Sequence, residues 1–181
     1  IIGILTVSAI YLIAYQLGIL SGLNLTGVPK PVQNIVKKIP GQEFNIYPKK
    51  SKIDLNKLRQ GCPVKDCIPA IDNPKFLTAL DAEKQNQIKD DDVVFAVFHK
   101  DVARAYPQRI LNWHEIVNDT VKGDPLLITF CPLCGTAIGF ERPADSTFGV
   151  SGKLFNSNLV MYDRKTETLW QQLGGEAIVG E

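Results

Sequence analysis

The chain passes through three regimes of apolar and polar patterning. Ile1 to Leu20 reads IIGILTVSAIYLIAYQLGIL, broken only by Thr6, Ser8, Tyr11, Tyr15, Gln16 and two glycines, and no charged residue occurs before Lys30. At ~1.5 Å per residue a helix of that length just crosses the ~30 Å hydrocarbon layer. The run therefore predicts a transmembrane anchor or signal segment over residues 1–24. A cleaved secretory signal would carry a shorter apolar core after basic residues, which a chain opening at Ile1 does not display; a buried soluble helix is the third reading.

Residues 25–60 carry Pro29, Pro31, Pro40 and Pro48 with few periodic apolar positions, which predicts an extended linker rather than a folded element. Short strand-like runs begin after Gly61. Val93 to Phe98, the polar His99-Lys100-Asp101 and Val102 to Tyr106 read as a hairpin, with Pro107 ending its second arm by removing a ladder donor. Ile110, Trp113, Ile116 and Val117 recur at helical spacing, predicting one or two turns that Asn118-Asp119 can break. Further strands are expected at Leu126–Phe130, Ala137–Phe140, Thr147–Val150, Leu159–Tyr162 and near Leu169-Trp170. Residues 61–181 are thus expected to form a mainly β (α+β) domain, either a mixed sheet or a small partly open barrel with short helical inserts.

Charge changes the picture in two ways. The 20 Lys plus Arg against 19 Asp plus Glu argue against a nucleic-acid binder reliant on bulk positive charge. Within that balance the linker is basic, with Lys30, Lys37, Lys38, Lys49, Lys50, Lys52, Lys57 and Arg59 against Glu43 and Asp54. Such a flank suits anionic headgroups, and taken alone it favours the cytoplasmic side of a membrane.

The sharpest chemistry is Cys131-Pro132-Leu133-Cys134-Gly135, directly after the strand ending at Phe130. Two intervening residues let both sulfurs face one point, Pro132 stiffens the turn and Gly135 permits positive φ, as in metal-binding knuckles. Three completions are open. Cys62 and Cys67 make a Cys₄ zinc site; or His114, with Met161 or His99, joins the pair in a thiolate, imidazole and thioether set that suits copper. In the third, Cys131/Cys134 is a redox dithiol, which ranks below metal binding because neither cysteine opens a long amphipathic helix. The bland alternative is a disulfide or two buried thiols. Cys62 and Cys67 can likewise close a small disulfide loop, which persists mainly outside the reducing cytosol and so opposes the orientation suggested by the basic flank.

The segments IPAIDNPKF, ARAYPQRILNWHEIVND, TFCPLCGTAIGF, FGVSGKLFNSNLVMYDRKTETLW and GGEAIVG occur in this order between Ile68 and Gly180. Together they resemble the Domain of Unknown Function 3179 family. The resemblance implies a secreted or membrane-anchored prokaryotic protein with an extracytoplasmic domain, and implies no particular reaction. Cys62 and Cys67 stand where the family pattern implies glycines, so that pair reads as an added staple; the family also implies continuation beyond Glu181, which makes the chain resemble a fragment.

The matching segments collect His114, Glu115, Cys131, Cys134, Thr136, Ser151, Asn156, Asn158, Met161, Asp163 and Arg164. Asp163-Arg164 is either a substrate or anion contact or a turn held by an ion pair, the latter being the commoner use of adjacent charges. Trp113 and Trp170 are expected in the core more than in a pocket. The leading expectation is a metal site, copper or zinc, on Cys131 and Cys134 with His114 as third ligand and Met161 completing a copper set. The rivals are a thiol redox or other enzyme and a disulfide-stapled assembly protein whose partner is unidentified.

Overall fold

The computed structural model describes residues 50–180. The predicted anchor over 1–24 and most of the linker lie outside the described residues; no described helix is long and apolar enough to cross a membrane. The domain is mainly β, with eleven strands among the described residues in three open sheets and two short α-helices. The barrel alternative gives way to these open sheets.

The first strand, β1 (Leu58–Gln60), follows a single 3-10 turn at Leu55–Lys57 and lies inside the stretch read as linker. It pairs with β8 (Phe148–Phe155), which continues antiparallel through β9 (Asn158–Asp163), β10 (Leu169–Gln171) and β11 (Glu176–Val179) into a five-stranded sheet. A second, mixed sheet runs β2-β5-β6-β7, with β2 (Ile71–Asp72) parallel to β5 (Ile116–Val121) and β6 (Asp124–Cys131) and β7 (Thr136–Glu141) antiparallel. The predicted hairpin is a third sheet, β3 (Val94–His99) with β4 (Val102–Pro107). The helices are α1 (Ala79–Lys84) and α2 (Gln108–His114).

The helical reading of Ile110 to Val117 is half right. Glu115 takes φ 56°, ending α2, and Ile116 and Val117 enter β5 with Asn118 and Asp119 after them. The reason is packing: Ile116 and Val117 gain opposite faces of a buried sheet, which a helix could not give them. Val117, Val121, Leu126, Ile128 and Phe130 pack with Tyr106 and Leu111 on one side. Ile116, Leu127 and Cys131 pack with Phe148, Val150, Leu159 and Met161 of the five-stranded sheet on the other. A strand covered on both faces reads as a continuous apolar run, so the period of two in Leu126 to Phe130 is hidden. The far face of the five-stranded sheet holds Val160, Tyr162, Leu169, Ile178 and Val179 beneath Ile53, Leu55 and Leu58.

Turns set the position of the site. The loops Lys100-Asp101, Lys122-Gly123 and Asn156-Ser157 all take positive φ at both residues, the tight two-residue hairpin geometry that matches strand twist. Only four residues, Pro132 to Gly135, separate the paired Cys131 and Thr136, with Gly135 at φ 62°. That longer turn is the CPLC motif.

Candidate functional site

Three turns meet at one end of the packed sheets. Cys131 closes β6 and is 1% exposed, its Sγ 3.9 Å from the Ser157 carbonyl in the β8–β9 turn. Cys134 is exposed on the β6–β7 turn, and both cysteines are free thiols. Beneath them lies an amide pair. Asn158 donates from Nδ2 to Cys134 Sγ at 3.3 Å and to Gln172 Oε1 at 2.7 Å, while its Oδ1 accepts from Leu173 N at 3.0 Å. Gln172, fully buried after β10, donates from Nε2 to Thr129 Oγ1 at 3.0 Å and to the Thr136 carbonyl at 2.9 Å. Buried amides are tolerable only when satisfied in this way, so the network fixes both sheets and the sulfur together.

The two thiols are electrostatically unlike. Desolvation of its sulfur raises Cys134, but hydrogen bonds from Thr136, Asn158 and Cys131 outweigh it and hold the thiol below its usual range. Burial pushes Cys131 up, and its hydrogen bond to Cys134 adds to the rise. The arrangement is an exposed, more acidic thiol beside a buried, less acidic one. Leu133, between them, is 68% exposed.

Glu115 stands between α2 and β5, its backbone carbonyl accepting from Phe130 N at 2.7 Å. Its carboxyl has no hydrogen bond or ion pair among the described residues, and burial pushes it up to about 7. A half-buried acid that titrates near neutrality is a candidate proton acceptor.

The other predicted residues are placed as follows. His114 donates from Nδ1 to the Pro69 carbonyl at 2.8 Å, leaving Nε2 as its acceptor nitrogen. Met161 lies in the same buried cluster as Cys131. His99 sits at the β3–β4 turn, 2.5 Å from Asp124. Among the described residues no three His, Cys, Asp or Glu side chains converge as a metal-binding group.

Cys62 and Cys67 are at disulfide distance with Cα atoms 6.4 Å apart, so they offer no thiolates to a Cys₄ centre. Their loop docks on the bulge of β8, where Gly61 N and Cys62 N donate to the Gly152 carbonyl and Asp66 N to that of Val150. Gly152 is required there: at φ 74°, a Cβ would lie 2.8 Å from the Cys62 carbonyl oxygen.

Asp163 is buried and spends its oxygens on Thr166 N, Thr166 Oγ1 and Trp170 Nε1, while Arg164 binds Asp72 at 2.8 Å and Thr147 Oγ1 at 3.1 Å. Both hold turns and sheet ends. Trp170 packs on Phe148 as expected of a core ring, but Trp113 is 77% exposed.

Sequence reasoning found the cysteines, Thr136, Asn158 and Glu115 but missed Gln172. A glutamine after a three-residue strand carries no local signal; only the meeting of the residue after β10 with Thr129 and Thr136 gives it a role.

Fold and site define a domain of packed open sheets with a free CxxC pair where three turns converge. The chain belongs to the family described as protein of unknown function (DUF3179), which matches residues 65–181 and so includes the CPLC turn, Asn158 and Gln172. No curated protein and no solved structure matches the chain.

Proposed function

We propose that the domain carries out thiol–disulfide exchange on a protein disulfide, with Cys134 as the attacking thiolate and Cys131 as the resolving thiol. The observation that carries this reading is the asymmetry of the pair: an exposed sulfur held below its usual range by Asn158 and Thr136, and a buried partner above it. Thiolate fraction and access decide which sulfur attacks first.

Cys134 S⁻ attacks one sulfur of the substrate disulfide, forming a Cys134–substrate mixed disulfide and releasing one substrate thiolate. Cys131 then loses its proton to solvent and attacks Cys134 Sγ, releasing the second substrate thiolate. The domain ends with a Cys131–Cys134 disulfide, and the substrate is reduced to two thiols after protonation. The reverse sequence oxidises a substrate dithiol. An extracytoplasmic, membrane-anchored placement fits this chemistry, supported by the uncharged run Ile1–Leu20 and by the Cys62–Cys67 pair.

A second reading, copper held by Cys131, Cys134, Met161 and His114, draws support from Met161 packing with Cys131 and from the free Nε2 of His114. One set of variants separates the two. The purified full chain, mildly reduced so that Cys62–Cys67 stays closed, is mixed with oxidised glutathione and analysed by mass and by elemental content. Exchange predicts that Cys131→Ser accumulates a mixed disulfide, that Cys134→Ser forms none, and that neither form carries stoichiometric metal. Equal reactivity of the two variants overturns the exchange reading. About one metal per chain, lost in the Cys131→Ser/Cys134→Ser double variant, would install the copper reading instead.

A further inference from the structure

Away from the cysteine turn, a cleft of about 760 Å³ opens between β4, α2 and the segment from Pro74 to Ile88. Its size falls within the ~300–1,000 Å³ range of small-molecule sites. The walls are mostly apolar, and its charged lining residues are Lys75, Arg104 and Arg109, with no Asp or Glu among them.

The covering segment is a loose strap. No residue of α1 is buried, and Phe76, Leu77 and Leu80 are exposed at 40%, 50% and 58%. Phe76 is held at one point, edge-on to Tyr106 at 5.6 Å and beneath the Arg104 guanidinium at 4.3 Å. Arg104 is already neutralised by the buried Asp119, which also accepts from Tyr106 Oη at 2.7 Å. Arg109 donates to the Gln87 carbonyl and has as its carboxylate partner only Asp92, at 3.8 Å, while Lys75 has no carboxylate partner among the described residues. The cleft therefore offers an apolar interior and two cations whose charge the protein does not balance closely.

We propose that this cleft binds an amphiphilic carboxylate, its apolar body lying under the strap against Ala96, Ala105 and Ile110 and its carboxylate meeting Arg109 and Lys75. Burying the body covers apolar surface that strap and sheet leave open, and the cations reject a neutral or cationic head relative to an anionic one. The site is separate from the cysteine pair and does not depend on its redox chemistry.

Equilibrium dialysis tests it on the full chain in nanodiscs, with empty nanodiscs as blank and three probes of one chain length: octanoate, octan-1-ol and octylammonium. Octanoate is expected to be retained about 10-fold more tightly than either of the others, the worth of one charge-assisted hydrogen bond. The Lys75→Gln/Arg109→Gln double variant should bring octanoate down to the level of the alcohol. Ala105→Phe, at an exposed position on the cleft wall, should exclude all three. Equal retention of octanoate and octylammonium, or octanoate binding unchanged in both variants, overturns the proposal.

Discussion

The molecule carries two cysteine pairs, and their surroundings differ more than their spacing. Cys62 and Cys67 lie in a loop whose polar groups go to the backbone of β8; the acid between them, Asp66, accepts from the Tyr162 hydroxyl. Cys131 and Cys134 lie on a turn where the Asn158 side chain meets Cys134 Sγ and the Ser157 carbonyl meets Cys131 Sγ, and the buried acid of the neighbouring strand end, Glu115, has a carboxyl with no partner among the described residues. The first pair holds a loop on a bulge; the second, on the exchange we propose, keeps one sulfur reactive. What distinguishes a staple from a site is therefore the second layer of polar groups, which arrives from strands far away in the sequence.

Removing that layer should do the most damage. Asn158→Ala deletes the donor to Cys134 Sγ and leaves the buried Oε1 of Gln172 without its partner. An unsatisfied buried acceptor plus the lost bonds costs about 2–3 kcal/mol, read from urea unfolding. The Cys134 thiol should also rise, so its alkylation near neutral pH slows while Cys62 and Cys67 stay unreactive. Unchanged alkylation would mean that the amide does not set the thiol and that the two pairs differ only in exposure.

The staple gives the converse test. A disulfide closing so short a loop restricts the unfolded chain by about 2 kcal/mol, so Cys62→Ser/Cys67→Ser should lower stability by roughly that amount. Exchange at Cys134 should persist at its original rate. Loss of exchange in the folded double variant would show that the bulge of β8 transmits to the β8–β9 turn, and the pairs would no longer be independent.

Much of this division was legible in the chain and part was not. Lys100-Asp101 between two apolar arms disclosed the β3–β4 hairpin because turn and strands are contiguous. Cys131 and Cys134 were legible for the same reason, as a motif at a strand end. Ile116 and Val117 misled because helical spacing and a doubly buried strand look alike over a few residues, and the deciding event, positive φ at Glu115, is forced by pairing with β6 rather than by Glu itself. The strand β1 was hidden in a stretch dominated by Lys and Pro, since Leu58 to Gln60 becomes a strand only by lying along β8. Gln172 and the cleft under Pro74 to Ile88 have no local signature, because both are products of distant elements meeting.

The smallest effect concerns the two acids, Asp66 and Glu115. Glu115 is raised by burial from about 4.5 to about 7, so between those values the unfolded chain loses a proton that the folded one keeps. Stability on this account is fully present at low pH, falls as pH rises through the window and settles at its penalised level above about 7. Glu115→Gln should therefore be more stable than the parent at pH 8, by about 1–2 kcal/mol once partial solvent screening is discounted, and no more stable near pH 4. A variant with no gain at pH 8 would mean that burial does not penalise the Glu115 charge, and the contrast with the hydrogen-bonded Asp66 would then carry no energetic weight.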